Sequence, residues 1–235
     1  MDEPRSDAPS PVGPPVPARR TILMDFDGVL VREDSLGGFL REHLTRAPWR
    51  LPGFLAATSA LVPLIGVPAT RSRGLRLLLR AGFAGLSSEQ YHERVAAFGT
   101  ALAARPGALL EPGVAAARAH LADGDRVVVV TGSEETLARA VLDAAGLEDA
   151  ELVASRIGTT PFGLAFEVHA YGPRKVVELA GRGIVPPWDV AYSDSAADLP
   201  MLRGARSAVL VNVGRRSGAA VRSALPGRVT DVSWD

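Results

Sequence analysis

The chain has no cysteine among its 235 residues. This absence excludes disulfides, thiolate metal sites and cysteine nucleophiles, and it suits a reducing compartment such as the cytoplasm. Neither sign of charge is in excess, because 26 basic residues balance 26 acidic ones. Since nucleic-acid binding usually leaves a basic surplus, we expect no nucleic-acid partner.

Lysine is nearly absent as well. Of the 26 basic residues, 25 are arginine, and Lys175 is the one lysine. A chain that uses arginine wherever it serves should keep lysine where arginine fails, because an ammonium is a compact point charge and a guanidinium a broad planar fork. The alternative is that Lys175 survived by chance on a helix surface.

The first nineteen residues differ in composition from the rest. Residues 1–19 hold six prolines and little apolar bulk, which predicts a disordered tail. They lack the continuous apolar core of a signal peptide, so we expect no secretion signal.

Short apolar strands alternate with helical stretches in the second half of the chain. The predicted strands are 21–26, 126–130, 151–155, 189–193 and 207–212. This rhythm predicts an α/β protein with a Rossmann-like parallel sheet and helices on both of its faces. The predicted helices after 122 are 133–146, 173–183 and 195–205.

Residues 35–122 break the rhythm and contain no convincing strand. The predicted helices here are 35–46, 51–66, 70–83, 87–104 and 111–122, with Ser87 and Gln90 at capping-box spacing. We therefore predict an all-helical cap, residues 35–110, inserted after the first strand into a catalytic core of residues 20–34 and 111–235.

Polar side chains with chemical capacity follow the predicted strands. They are Asp25, Asp27, Thr131, Asp194 and Asp198, with Lys175 at the start of a helix. Because the carboxyl ends of parallel strands meet at one sheet edge, these groups should lie together. Clustered carboxylates call for a hard cation such as Mg²⁺, and a metal beside threonine and lysine makes a site for phosphate.

Four motifs carry a family resemblance. "DFDGVLV", "VVVVTGS", "YGPRK" and "YSDSAADLPML" resemble, in order, the four signature motifs of the haloacid dehalogenase superfamily. The phosphoserine-phosphatase-like branch, which includes lipid-phosphate phosphatases, is the most similar. Two departures, Val29 and Ser193, blur the subfamily: many relatives have threonine at the first position and glycine at the second.

The resemblance implies a role for each reacting side chain. Asp25 would be the nucleophile that becomes an aspartyl phosphate. Asp27, which distinguishes phosphatases and mutases from dehalogenases, would be the general acid and then the base for water. Lys175 would neutralise the nucleophile and the transferring group, while Thr131 and the Gly132 amide hold phosphate oxygens.

The resemblance also implies a metal site and a substrate contact. Asp25, Asp194 and the main-chain carbonyl of Asp27 would bind Mg²⁺, and Asp198 would hold the metal's water or Lys175. Asp34 aligns with an acidic residue that contacts the substrate amine in phosphoserine-phosphatase relatives. The alternative for Asp34 is a helix N-cap.

An uncharged segment lies within the predicted cap. Residues 51–67 carry no charge and are flanked by Arg50 and Arg71. The length is marginal for a bilayer span and prolines interrupt it, so we predict a buried pair of cap helices. The second hypothesis is peripheral membrane contact through the cap, with the arginines of residues 71–80 facing anionic headgroups.

The sequence thus predicts a cytoplasmic, Mg²⁺-dependent phosphomonoester hydrolase with a small-molecule or lipid substrate. A phosphotransferase or mutase with the same intermediate is one alternative. The other is a catalytically idle, membrane-associated phosphate-binding protein. The oligomeric state is left open.

Overall fold

The computed structural model describes residues 19–67, 70–161 and 163–234. Most of the predicted tail lies outside these residues, and the first described residue, Arg19, donates a hydrogen bond to the carbonyl of Gly124. The strands are β1 (Thr21–Met24), β2 (Arg126–Glu134), β3 (Glu151–Thr160), β4 (Gly163–Val168), β5 (Trp188–Ser193), β6 (Ala205–Val211) and β7 (Val229–Val232). The helices are α1 (Ser35–Thr45), α2 (Leu51–Gly66), α3 (Arg71–Gly82), α4 (Ser88–Ala103), α5 (Glu111–Ala122), α6 (Glu135–Ala144), α7 (Pro173–Gly181), α8 (Leu199–Gly204) and α9 (Arg215–Ala224).

The strands of the described residues form one sheet in the order β4-β3-β2-β1-β5-β6-β7. Every neighbouring pair is parallel except β3 and β4, which form an antiparallel hairpin at one edge. The predicted α/β class with a Rossmann-like sheet is confirmed. Because the chain winds outward in both directions from β1, the carboxyl end of β1 is the switch point where ligands bind in such sheets.

Side chains of the central strands are buried on both faces of the sheet. Val127 and Val129 of β2 pack on one face, and Val128 and Val130 pack on the other. Burial on both faces explains why these strands are short continuous apolar runs rather than alternating patterns. Helices α5 and α6 cover the first face, and α7 and α8 cover the second.

Helices α1–α4, here called the cap, enter and leave the core through two adjacent segments. Arg32 N donates to the Ala108 carbonyl, and Leu110 N donates to the Leu30 carbonyl. The capping box at the start of α4 is confirmed, since Ser87 and Gln90 exchange side-chain hydrogen bonds with each other's backbone. The domain division at residues 34/35 and 110/111 stays a prediction.

Helix α2 differs from the prediction of a buried cap helix. None of its described side chains is fully buried. It packs against α3 and the short 3-10 helix before it, and its Phe54 reaches Gly82 at the end of α3. Within residues 19–67, 70–161 and 163–234, the helices lack the combined length and apolar character that a membrane crossing needs.

Candidate active site

The loop after β1 fixes Asp25 and Asp27 at the switch point. Asp25 N donates to the Tyr192 carbonyl and so extends the pairing with β5. Phe26, which is fully buried, donates its N–H to Asp25 Oδ1 at 2.8 Å. The chain then turns sharply at Gly28, whose φ of 77° suits glycine. The buried phenylalanine between the two aspartates therefore anchors the loop, while both carboxylates face the cavity.

Lys175 joins two carboxylates from different strand ends. Its Nζ lies 2.9 Å from Asp25 Oδ1 and 2.8 Å from Asp198 Oδ2. The lysine side chain is 3% exposed, so the charge is almost completely removed from water. Ser193 Oγ also donates to Asp198 Oδ2, at 2.8 Å. A buried ammonium is tolerable here because two carboxylates compensate it.

Asp194 lies on the other side of the β1 loop. Its carboxylate contacts Gly28 so closely that a Cβ on residue 28 would overlap with it. Position 28 thus requires glycine for two reasons, the positive φ and the close approach of the Asp194 carboxylate. The close approach brings Asp194 beside the Asp25–Asp27 loop, where the motif resemblance placed a metal ligand.

The pKa values of these groups reflect burial and mutual charge. Burial raises the pKa of Asp25, and Lys175 offsets only part of the rise. Burial likewise raises the pKa of Asp194. For Lys175, burial works against the charged form, but Asp25 and Asp198 outweigh it and raise the pKa. Burial also opposes charge on Asp198, yet Lys175 outweighs it and lowers that pKa.

Asp27 has the environment of a proton donor. Burial raises its pKa to about 7, although the Ser35 side chain and amide lower it in part. The Ser35 N–H donates to Asp27 Oδ1 at 3.0 Å and fixes the carboxyl group. A carboxyl group that titrates near neutral pH can give up and take back a proton during one reaction cycle.

Thr131 and Gly132 lie within β2, opposite the β1 loop. Thr131 is buried, and its Oγ1 accepts a hydrogen bond from Ser133 N at 2.9 Å. The Gly132 carbonyl accepts from Ser155 Oγ at 2.7 Å, which fixes the strand end. Both residues line the same cavity as Asp25 and Asp27.

Ser133, which lines the cavity, and the buried Ser35 are two polar residues that the sequence interpretation missed. Their Oγ atoms are 2.7 Å apart and link the start of α1 in the cap to β2 in the core. Single serines carry no signal in a motif search, and only the fold brings these two together.

Asp34 is an N-cap. Its Oδ1 accepts the Gly37 N–H at 2.9 Å at the start of α1, as the alternative interpretation predicted. It also lines the cavity, so a contact with substrate stays a prediction.

The cavity above these residues measures about 1110 Å³. Asp25, Asp27, Lys175 and Asp194 line one part of the cavity, which is here called its floor. Its walls are largely apolar and come from both cap and core: Leu36 and Leu40 of α1, Leu78 and Leu79 of α3, and Phe166 and Val168 of β4. The space accommodates a ligand much larger than a phosphate group.

The donor set fits a magnesium ion that keeps several of its waters. The described residues hold no cluster of three acidic, histidine or cysteine side chains close enough to bind a metal alone. Two carboxylates, Asp25 and Asp194, and the carbonyl of Asp27 make a smaller oxygen set of the kind that Mg²⁺ uses together with water and substrate oxygens.

Known structures share this fold at low sequence identity. A phosphoserine phosphohydrolase-like protein from Francisella tularensis is 15% identical with a TM-score of 0.60, and the alignment covers 90% of this chain and 94% of that one. A phosphoserine phosphatase solved as a phospho-aspartyl intermediate analogue is 16% identical with a TM-score of 0.52, covering 86% and 90%. A cytosolic 5'-nucleotidase IIIB bound to cytidine is 12% identical with a TM-score of 0.56, covering 92% and 81%.

The sequence itself also matches a family. Comparison with curated proteins finds no significant match. The family model described as haloacid dehalogenase-like hydrolase, however, matches residues 22–203, which include both Asp25 and Asp198. The resemblance expected from the four motifs is confirmed, and the chain belongs to the haloacid dehalogenase-like hydrolase family.

Proposed function

We propose that this protein is a Mg²⁺-dependent phosphomonoester hydrolase that acts through an aspartyl phosphate on Asp25. The observation that carries the proposal is the arrangement of Asp25, with Lys175 Nζ at 2.9 Å, beside Asp27 on the floor of one cavity. A nucleophile, a compact cation and a proton donor with a pKa of about 7 are the groups that this chemistry needs.

The reaction has two steps on these residues. Asp25 attacks phosphorus, the ester bond breaks, and Asp27 gives its proton to the leaving alcohol oxygen. Asp27, now a carboxylate, takes a proton from water as the water attacks phosphorus, which releases inorganic phosphate and restores Asp25. Lys175 offsets the repulsion between the attacking carboxylate and the anionic phosphate.

The remaining groups hold the phosphate in place. Thr131 Oγ1 and the Gly132 N–H would bind its oxygens. Asp25, Asp194 and the carbonyl of Asp27 would hold Mg²⁺, which when bound supplies positive charge for the developing transition state. Asp198 keeps Lys175 charged and oriented through their 2.8 Å contact.

Phosphoryl transfer to an alcohol is the alternative with the same intermediate. The choice depends on whether water or a second hydroxyl group reaches the aspartyl phosphate. A cavity of about 1110 Å³, walled in part by the cap, has room for an acceptor as well as for a small-molecule or lipid phosphomonoester. A cytoplasmic location is part of the proposal and rests on the absence of cysteine.

A panel of phosphomonoesters tests the proposal. Phosphate release would be assayed with Mg²⁺ and with excess chelator. The esters are phosphoserine, nucleoside 5'-monophosphates, p-nitrophenyl phosphate and a lysophosphatidate in detergent. We expect release from at least one ester, abolished by chelator and by Asp25→Asn. The matched control is Asp143→Asn on α6, an exposed aspartate paired with Arg139. Added glycerol that diverts phosphate into glycerol phosphate would instead favour the transferase.

A catalytically idle phosphate-binding protein is the remaining alternative. It predicts phosphate binding without release from any ester, and equal behaviour of the parent and Asp25→Asn. The complete set of nucleophile, lysine and proton donor on one cavity floor argues against it.

A further inference from the structure

Five large apolar side chains are exposed between residues 49 and 77 of the cap. Trp49 is 76% exposed, Leu55 60%, Val62 57%, Val67 51% and Leu77 40%. These five residues, here called the outer cap surface, belong to α2, the segments flanking it, and α3. Isolated exposed apolar residues are ordinary, but a group on one sparsely packed helix indicates a contact surface.

Helix α2 contributes no charge to this surface. Its sixteen residues contain no Asp, Glu, Lys or Arg. One side is held by Phe54, which lies close to Gly82 of α3, and Thr70 Oγ1 bonds the Leu64 carbonyl behind it. Leu55 and Val62, two turns apart, lie along a different side of the helix and are exposed. The helix is therefore attached along one side and unpartnered along the other.

The sequence around α2 is strongly one-sided in charge. Although the whole chain is neutral, residues 43–88 contain no acidic residue. Their basic residues are Arg46, Arg50, Arg71, Arg73, Arg76 and Arg80. The Arg46 side chain remains 76% exposed even though it pairs with Glu42. The segment that carries the outer cap surface thus combines exposed apolar side chains with a net positive sequence charge.

Three classes of partner differ in how they suit this combination. A second copy of the chain would bring two acid-free, arginine-rich segments together, which costs electrostatic repulsion. A nucleic acid would suit the arginines but not sixteen uncharged residues. An anionic lipid bilayer suits both, because headgroups attract arginine while Trp, Leu and Val enter the interfacial region.

The geometry favours a helix that lies on a bilayer and does not cross it. Sixteen helical residues extend about 24 Å, shorter than the hydrocarbon core of about 30 Å. Pro63 also lies inside α2. A tryptophan at the helix start, next to Arg50, is the arrangement that anchors a helix at the interface.

We propose that the outer cap surface docks the protein on anionic lipid bilayers. Helix α3 links this surface to the active site, since Leu77 is exposed while the next two residues, Leu78 and Leu79, line the cavity. Docking therefore holds one wall of the cavity next to the lipid surface. The inference concerns where the protein works and does not depend on which reaction it catalyses.

Vesicle co-sedimentation of the full chain tests the proposal. The probes are vesicles of phosphatidylcholine alone and vesicles with about 30% phosphatidylglycerol, an anionic fraction chosen to give a negative surface potential. We expect the parent to sediment with the anionic vesicles, to bind the neutral ones much less, and to be released as NaCl rises toward about 0.5 M, because salt screens the arginines.

Two variants and a matched control separate docking from general stickiness. Leu55→Glu and Val62→Glu place a charge on the outer cap surface and should each weaken binding about tenfold or more. The control, Val185→Glu, changes a residue that is equally exposed, at 60%, but lies after α7 and outside the cap. This variant should bind vesicles like the parent. Thermal melts of all variants verify that each is folded.

Several results would overturn the docking proposal. One is a parent that stays in the supernatant with both vesicle types, and another is a loss of binding in Val185→Glu as large as in Val62→Glu. A dimer in velocity sedimentation that Val62→Glu dissociates, without vesicle binding, would assign the surface to a second copy. Vesicle binding without turnover of any phosphomonoester would leave docking standing and reject the phosphatase proposal. Turnover of a phosphomonoester without vesicle binding would reject docking and leave the phosphatase proposal standing.

Discussion

Lys175 Nζ lies 2.9 Å from Asp25 Oδ1, and this contact joins the first turn of α7 to the residue that follows β1. The lysine side chain is boxed in by Asp25 on one side and Asp198 on the other. It is also the one lysine in a chain with 25 arginines. An ammonium fits between the two carboxylates as a point charge, whereas a guanidinium is larger and planar.

Lys175→Arg should therefore keep the charge and lose the activity. The wider fork has to displace Asp25 or Asp198, so we expect kcat to fall about 100-fold or more, as for loss of one preorganised charge. The assay is kcat on the best ester of the panel beside a thermal melt. The control is the reverse exchange at an exposed site, Arg216→Lys on α9. It should leave both kcat and the melting temperature unchanged. Near-parental kcat in Lys175→Arg would mean that the lysine survived by accident.

Asp25→Asn and Asp27→Asn should each lose catalysis, but at different steps of the reaction. Asp25→Asn has no nucleophile, so no product forms from any ester. Asp27→Asn retains the nucleophile, and p-nitrophenolate leaves without needing a proton. We therefore expect a burst of about one equivalent of p-nitrophenol and then very slow turnover, because the base for water is missing. Rapid-mixing absorbance measures the burst. Equal steady turnover by both variants and the parent would reject the aspartyl phosphate.

The two aspartates of the last motif should differ in their effect on metal. We infer that Asp194 is a direct ligand, while Asp198 pairs with Lys175 at 2.8 Å. Asp194→Ala should weaken Mg²⁺ binding at least tenfold, and Asp198→Ala should change it much less. Asp198→Ala should instead destabilise the fold, because it removes a carboxylate from a buried ammonium. Titration calorimetry with Mg²⁺ and thermal melts give both readouts without any turnover. The opposite ranking in calorimetry would contradict the ligand assignment.

Local signals in the sequence account for the parts of the fold that were predicted well. The capping box of Ser87 and Gln90 placed the start of α4 within one residue. The central strands β1 and β2 are buried on both faces and are therefore continuous apolar runs. The ends of those strands located the site residues, because a parallel sheet brings strand ends together whatever their separation along the chain.

The missed elements depend on long-range pairing. Strand β3 was expected to end at 155 but continues to Thr160, because it pairs with β4 as an antiparallel hairpin. Strand β7, Val229–Val232, is a short edge strand, and helix α9 carries no strong apolar run. The burial of α2 was wrong for a related reason. Apolar composition predicts that a helix is buried, and only the fold shows that none of the described side chains of α2 is fully buried.

The last prediction concerns a cluster at the amino ends of β1 and β2, where Asp125, just before β2, pairs with Arg20, just before β1. Its two oxygens accept from Arg20 Nε at 2.9 Å and Arg20 Nη2 at 2.6 Å. His120 Nδ1 lies 2.9 Å from Oδ2. The hydrogen bonds from Arg20 lower the pKa of Asp125 below its ordinary value of 3.8, although burial acts in the opposite direction.

A lowered pKa in the folded state fixes the sign of the pH dependence. The unfolded chain binds the proton more readily, so the stabilisation by Asp125 is complete above about pH 4 and disappears as the pH falls through the folded-state pKa. Asp125→Asn should therefore lower the free energy of unfolding by about 1 kcal/mol at pH 7, a modest value because Arg20 is half exposed. Urea unfolding at pH 5 and at pH 3.5 should show a smaller difference from the parent at the lower pH. Asp143→Asn, in an exposed pair with Arg139, should cost only a few tenths of a kcal/mol. A difference for Asp125→Asn that grows as the pH falls would contradict the assigned direction.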